Sequence, residues 1–262
     1  MLQLYRRIAR KARAALAKSS SREIGTNPLG QETMEADRDI ERAVFDELQK
    51  RNCAVLSEEK GFFEFGENAT ELFIIDPLDA SENYKRGIPC YVLGIARGKV
   101  GGRLAEVEEA YIFDLVTKDE FYSLRGEGAW RNGKKIGPSG TTDISKAILA
   151  IDFYNDPDSR QISDSTRAKA LAYPRDVRRL GPALLEMAYV ACGSLEGYFN
   201  VNKTLSVVHA SGPALLRDAG CIVTDHDGKP LDFGFSTVDD YFTIVAAGNG
   251  AIHKKMMEIS RG

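Results

Sequence analysis

The 262-residue sequence is poor in the residues that build soft-metal and disulfide sites. Its four cysteines, Cys53, Cys90, Cys192 and Cys221, form no C-x-x-C pair, and its three histidines, His209, His226 and His253, are scattered. That scarcity excludes a zinc site written in the spacing and a thioredoxin-type motif, and it fits reduced thiols in a cytoplasmic protein. No apolar run approaches the ~18–20 residues that span a bilayer, so no membrane partner is expected. Internal repeats and low-complexity linkers are absent, which removes solenoids and disordered scaffolds. A net charge of −3 supplies no basic surplus, so nucleic acid is not expected as the main partner.

The residues present are those of an ordinary globular chain, 43% hydrophobic and 28% charged. One stretch departs from that balance. Residues 1–22 carry Arg6, Arg7, Arg10, Lys11, Arg13, Lys18 and Arg22 and no acid before Glu23, as a transit peptide would. The same stretch sets Leu4, Ile8, Ala12 and Ala15 at helical spacing, and we read it as an amphipathic helix over 2–18.

A polar loop is expected over 19–31 and a second helix over 33–50, with Ile40, Val44 and Leu48 as its apolar stripe. Asp37 falls on that stripe. An inward acid is costly unless a cation or donor meets it. A stripe that begins later leaves Asp37 solvated in the first turn, where the helix dipole favours an acid. The segment 60–70 reads as a mobile loop. Serial strands at 91–96, 106–113 and 120–123 imply an antiparallel sheet, and Asn132-Gly133 marks a hairpin. From about Asp143 strands alternate with helices: a strand over 147–153, helices over 163–171 and 182–191, a strand over 195–201, a helix over 209–219, strands over 221–224 and 242–247, and a final helix over 251–259. The expected organisation is an α+β half, 1–142, and an α/β half, 143–262, sharing one core.

The chemistry gathers at Phe73-Ile74-Ile75-Asp76-Pro77-Leu78-Asp79-Ala80-Ser81. An apolar run delivers two carboxylates three positions apart, and Pro77 removes a ladder donor. Glu58 and Glu59 end another apolar run, Ala54-Val55-Leu56. Buried acids need partners, and an oxygen-rich, histidine-free cluster suits Mg²⁺, Ca²⁺ or Mn²⁺ rather than zinc. The bland alternative is an Asp-Pro turn that caps a helix, with Glu58-Glu59 merely exposed.

The stretch Asp76-Pro77-Leu78-Asp79-Ala80-Ser81-Glu82-Asn83-Tyr84-Lys85-Arg86-Gly87-Ile88-Pro89 resembles the D-P-[IL]-D-G-[ST]-x-N-[FY]-x-x-G-x-P pattern of the inositol monophosphatase family, within the fructose-1,6-bisphosphatase superfamily. Ser57-Glu58-Glu59 resembles its G-E-E. Thr33 to Asp37 matches T-x-x-x-D, Gly126 to Gly133 matches G-x-G-A-x-x-N-G, and Arg179-Leu180-Gly181 and Asp218-Ala219-Gly220 match later landmarks. The resemblance implies a layered αβαβα sandwich of the sugar-phosphatase type and a homodimer. It implies two or three Mg²⁺ ions, with Mn²⁺ as a substitute. Glu58, Asp76 and the Leu78 carbonyl would hold the first ion, and Asp76 and Asp79 the second, with Glu59 beside them. Asp37 and Ser81 would orient or deprotonate water, and the amides of Ala80 and Ser81 would hold the phosphate.

Several positions depart from the pattern. Ala80 stands where glycine is usual. Val208 stands where the last metal-ligand aspartate belongs, in Val207-Val208-His209-Ala210-Ser211-Gly212. His209 is one residue along, roughly 100° round a helix, so it reaches the site only if the backbone slips. Otherwise it is a helix-start or surface residue. Asn200 is nearest to the family's substrate-hydroxyl acid. The expected activity is a Mg²⁺-dependent phosphomonoesterase acting on inositol monophosphate or a related sugar phosphate such as fructose 1,6-bisphosphate. The alternative is a silent homologue that binds a phosphorylated ligand or a partner.

Overall fold

The computed structural model describes residues 1–153 and 161–261. Its elements run α1 (Leu2–Leu16), β1 (Glu23–Thr26), β2 (Glu32–Met34), α2 (Glu35–Leu48), β3 (Cys53–Ser57), β4 (Gly61–Phe65), β5 (Glu71–Asp79), α3 (Ser81–Lys85), β6 (Val92–Lys99), β7 (Glu109–Asp114), β8 (Glu120–Leu124), β9 (Gly128–Arg131) and β10 (Lys134–Ile136). The second part contributes β11 (Ile148–Ile151), α4 (Asp164–Ala172), β12 (Asp176–Arg178), α5 (Ala183–Ala191), β13 (Gly197–Ser206), α6 (Ser211–Ala219), β14 (Ile222–Thr224), β15 (Tyr241–Ala247) and α7 (Gly250–Ser260).

Two mixed sheets, in strand order 10-9-8-7-6-5-3-4 and 12-11-13-15-14, alternate with three helical layers. Both sheets are buried on both faces, so their central strands are continuously apolar and the two-residue period decides which layer each side chain meets. Along β5, Leu72 and Ile74 join the core under α5 and α6, while Phe73 and Ile75 pack towards α1 and α2. Along β15, Ile244 and Ala246 join that same middle core, while Val245 and Ala247 pack towards α7. The result is the layered αβαβα sandwich.

The basic N-terminal stretch forms a docked helix. Tyr5, Ile8, Ala9 and Ala12 are buried, Arg6 clasps Glu120, and Arg7 and Lys11 meet the buried Glu47. Two expected loops prove to be strands. Residues 23–34 contain the β1–β2 hairpin, and β4 pairs antiparallel with β3 at the sheet edge. The missed signal in β4 is its alternation, Phe63 and Phe65 against Phe45 with Glu64 outward. β12 was also not legible: its three residues gain their place only by pairing parallel to β11.

An ion-pair network fastens the far end of the large sheet. Arg97 on β6 lies 2.7 Å from buried Glu109, 2.8 Å from Glu108 and 3.2 Å from Glu71.

Candidate active site

Parallel pairing of β3 with β5 brings their carboxyl ends to the same edge of the sheet. Glu58 leaves β3 there, with its amide bonded to the Ile75 carbonyl at 3.2 Å. The two aspartates of β5 pose a parity problem. Residues three apart on a regular strand face opposite ways. Here β5 carries one extra residue: Asp76 pairs with Gly94 and Asp79 with Val92, so a bulge around Pro77 turns both carboxylates to one face. A Cβ on Gly94 would lie 2.3 Å from Leu184 Cδ1 and 2.9 Å from Ser211 Oγ, so these buried side chains would have to shift to admit one.

Each acid is then fixed by a local donor. Leu78 N–H donates to Asp76 Oδ1 at 3.1 Å. Leu184 N–H, at the start of α5, donates to Asp79 Oδ2 at 2.7 Å, so this carboxylate ties the large sheet to the middle helical layer. Asp37 is buried and sits in the first turn of α2, where Met34 N–H donates to Oδ2 at 2.8 Å. It therefore satisfies the helix terminus and faces the cavity at once. Thr33 holds Glu59 through its hydroxyl.

Ala80 adopts the left-handed region, φ 69° and ψ 48°, immediately before α3. The geometry explains why glycine is usual there, since a Cβ in this region costs about 1–2 kcal/mol. Asn83, two residues into α3, donates from Nδ2 to the Cys90 and Leu180 carbonyls at 2.8 Å each, fixing the Arg179–Gly181 loop beside the site.

Asp37, Glu58, Glu59, Asp76, Leu78, Asp79, Ala80 and Ser81 all line one cavity of about 750 Å³. The second part of the chain supplies the opposite wall, including Asp152, Lys203 and His209. His209 faces the carboxylates, with Nε2 3.5 Å from Asp76 Oδ2, whereas Val208 is fully buried in the middle core. The helix expected from residue 209 instead begins with a 3₁₀ turn, Val207–Ala210, whose tighter winding and entry from β13 turn residue 209 rather than 208 towards the site.

Asn200 does not line the cavity. It is buried behind Asp152, donating to Asp152 Oδ2 at 3.1 Å and to Thr204 Oγ1 at 2.9 Å. Tyr198 hydroxyl donates to the same carboxylate at 3.2 Å, and Arg179 lies 3.5 Å from Oδ1. Asp152 was missed in sequence because a lone acid at the end of Leu149-Ala150-Ile151 has no motif around it.

Burial pushes all these acids upward. Desolvation is the main cause, and neighbouring carboxylates add to it. Asp37 and Asp79 rise to about 7 and Glu58 to about 8, while Asp76 rises well above its ordinary value. Glu41 and Glu186, buried nearby, rise to about 7 and about 8. His209, desolvated, falls to about 4.

The sign for stability follows from linkage. Acids raised in the fold hold protons more tightly than the unfolded chain does, so the stability they allow is complete below the ordinary carboxylate range. It is lost as pH rises towards 7–8, at up to ~1.4 kcal/mol per pH unit for each group. The depressed histidine acts in the opposite sense, but only between about 4 and its ordinary value near 6.5. The melting temperature in EDTA is therefore expected to fall between pH 6.5 and 8, and a divalent cation should restore it. A calorimetric midpoint that stays flat across that interval in EDTA would refute the account.

The donor set fits a divalent cation. Asp76 Oδ2 is buried with no hydrogen-bond partner, although Asp76 is only 1% exposed. One ligand atom each from Asp76, Asp79 and His209 lie within 4.8 Å of one another. Such a set is costly without a cation and ordinary with one.

This cavity opens at one edge of a layered αβαβα sandwich. The sequence matches the inositol monophosphatase family over residues 2–261. It is 29% identical over 217 residues to the fructose-1,6-bisphosphatase/inositol-1-monophosphatase of Methanothermobacter thermautotrophicus, covering 79% of this chain and 75% of that one. It is 32% identical over 239 residues to the Nus factor SuhB of Pseudomonas aeruginosa, covering 87% and 86%. A solved inositol monophosphatase–fructose 1,6-bisphosphatase superposes with a TM-score of 0.85 at 25% identity, over 98% of each chain. The chain belongs to the inositol monophosphatase family, which places it among phosphatases.

Proposed function

We propose that the chain is a divalent-cation-dependent phosphomonoesterase that hydrolyses inositol monophosphate or a related sugar phosphate, fructose 1,6-bisphosphate being second. The observation that carries this reading is the convergence of Glu58, Asp76, Asp79, Asp37 and Ser81 on one cavity, with a partnerless buried oxygen on Asp76. Glu58, Asp76 and the Leu78 carbonyl would hold one Mg²⁺ or Mn²⁺, and Asp76 and Asp79 a second. When bound, the cations supply positive charge to the phosphoryl and leaving oxygens and acidify a water.

The chain's own groups do the rest. Asp37, held by the Met34 amide, takes the proton of the attacking water, and the Ser81 hydroxyl orients it. The amide at the start of α3 and the positive end of α5 favour the phosphate's charge. Water adds to phosphorus as its proton passes to Asp37, the ester P–O bond breaks, the leaving alkoxide takes a proton from solvent, and Asp37 returns its own to solvent. Asp152, clamped by Tyr198, Asn200 and Arg179, offers an acceptor for a substrate hydroxyl on the opposite wall. The enzyme acts as a homodimer in the cytoplasm.

The test is phosphate release from a panel of inositol, sugar and nucleotide phosphates with Mg²⁺ or Mn²⁺. The expected result is release from inositol monophosphate well above an Asp79→Asn control. No release above that control on any substrate would overturn the reading. It would favour a silent member that binds a phosphorylated ligand or a partner, to which Val208 in place of the aspartate and the SuhB relative point.

A further inference from the structure

His209 Nδ1 lies 3.0 Å from the Ser206 carbonyl oxygen, which can only accept, so Nδ1 holds the proton. The neutral ring then presents the lone pair of Nε2 towards the cavity. Nε2 is 3.5 Å from Asp76 Oδ2, the buried oxygen with no partner. Two acceptors facing each other at that distance repel unless something positive sits between them. The distance is too long for a good hydrogen bond, yet ligands about 2.0–2.2 Å from a common ion stand about 3–3.5 Å apart. The carbonyl bond on the far nitrogen is also the usual device that fixes a ligating imidazole in its tautomer and orientation.

We infer that His209 Nε2 is a metal ligand, completing with Asp76 and Asp79 a mixed nitrogen–oxygen site that takes Mn²⁺, Co²⁺ or Zn²⁺ in preference to Mg²⁺. The lost aspartate is replaced from the next position in sequence, which the 3₁₀ turn swings into line. Imidazole suits the borderline transition ions, whereas Mg²⁺ holds to oxygen ligands and water. The second cation site is thereby made selective rather than merely weakened. This inference deepens the cation-dependent reading above, but its test does not depend on catalysis.

The first measurement is pulsed electron paramagnetic resonance on the Mn²⁺-loaded full chain. The spectrum is expected to show coupling to an imidazole nitrogen, and His209→Ala to remove it. The second is calorimetric titration with Mn²⁺ and Mg²⁺ of the native protein and of His209→Asp. The ratio of Mn²⁺ to Mg²⁺ affinity is expected to fall at least tenfold in the variant. Absence of nitrogen coupling in the native protein overturns the inference, and this reading needs no variant to fold. An unchanged ratio in a folded His209→Asp protein overturns it too. If nitrogen coupling is present but no phosphate ester is cleaved, the phosphatase reading fails while the metal assignment stands.

Discussion

Asp76→Asn is expected to lower phosphate release at least about 10³-fold while raising the melting temperature of the protein in EDTA. Asp76 is the acid common to both proposed cation sites. Losing its charge removes stabilisation of the transition state on the order of 4 kcal/mol, each ~1.4 kcal/mol being a factor of ten in rate. The opposite sign for stability comes from burial. Asp76 is 1% exposed, close to Glu58 and Asp79, and one of its oxygens meets no donor. An amide keeps an acceptor for the Leu78 N–H and, unlike the carboxyl, needs no proton to stay neutral in the apolar site as pH rises. The check is a pair of melting curves with and without Mg²⁺ or Mn²⁺, beside turnover of the substrate found in the panel. The native protein should gain stability from the cation and the variant should gain little. A variant within tenfold of native turnover would remove Asp76 from the mechanism. A large loss of stability in EDTA would show that its charge is matched by something other than a cation.

The second large effect concerns the scaffold. Arg97→Met is expected to destabilise the fold by about 3–5 kcal/mol, because breaking a buried pair leaves an uncompensated charge. The charge left behind is Glu109, 4% exposed, whose remaining oxygen accepts from the Tyr122 hydroxyl at 3.2 Å. Glu71 and Glu108 lie nearer solvent and can hydrate. A loss of this size corresponds to a fall in melting temperature of about 10 °C for a chain of this length. Adding Glu109→Gln to Arg97→Met should recover much of the loss, and that recovery separates charge imbalance from lost packing. If the double variant melts no higher than the single one, the guanidinium's contribution is steric.

Much of this protein is fixed locally. The apolar runs 53–57 and 71–76 are strands because they carry no alternation and must be buried on both faces. α1 and α2 form because their apolar residues recur at helical spacing. The fourteen-residue stretch from Asp76 to Pro89 announces the site, since an acid after an apolar strand has to be met by a positive charge. Asp37 shows how near such a reading comes. The two alternatives in sequence were an inward acid on the apolar stripe and an acid solvated in the first turn, and the fold buries Asp37 inward, because a helix that starts at the cavity wall points its N-terminal turn towards the site.

What sequence alone determined is most of the helices and the central strands, the carboxylate cluster and the family to which they belong, since all of these rest on neighbours within a few residues. Tertiary structure decided the rest. Strand parity sends Asp76 and Asp79 to opposite faces, and only the bulge formed against β6 brings them together. Counting along the motif puts Val208 at the ligand position and His209 about 100° away, and only the turn out of β13 brings the histidine to the site instead. Asp152 becomes part of the cavity because the second sheet stands across it from the first. In each case the deciding contact joins residues far apart in the chain, and no local period encodes where such contacts fall.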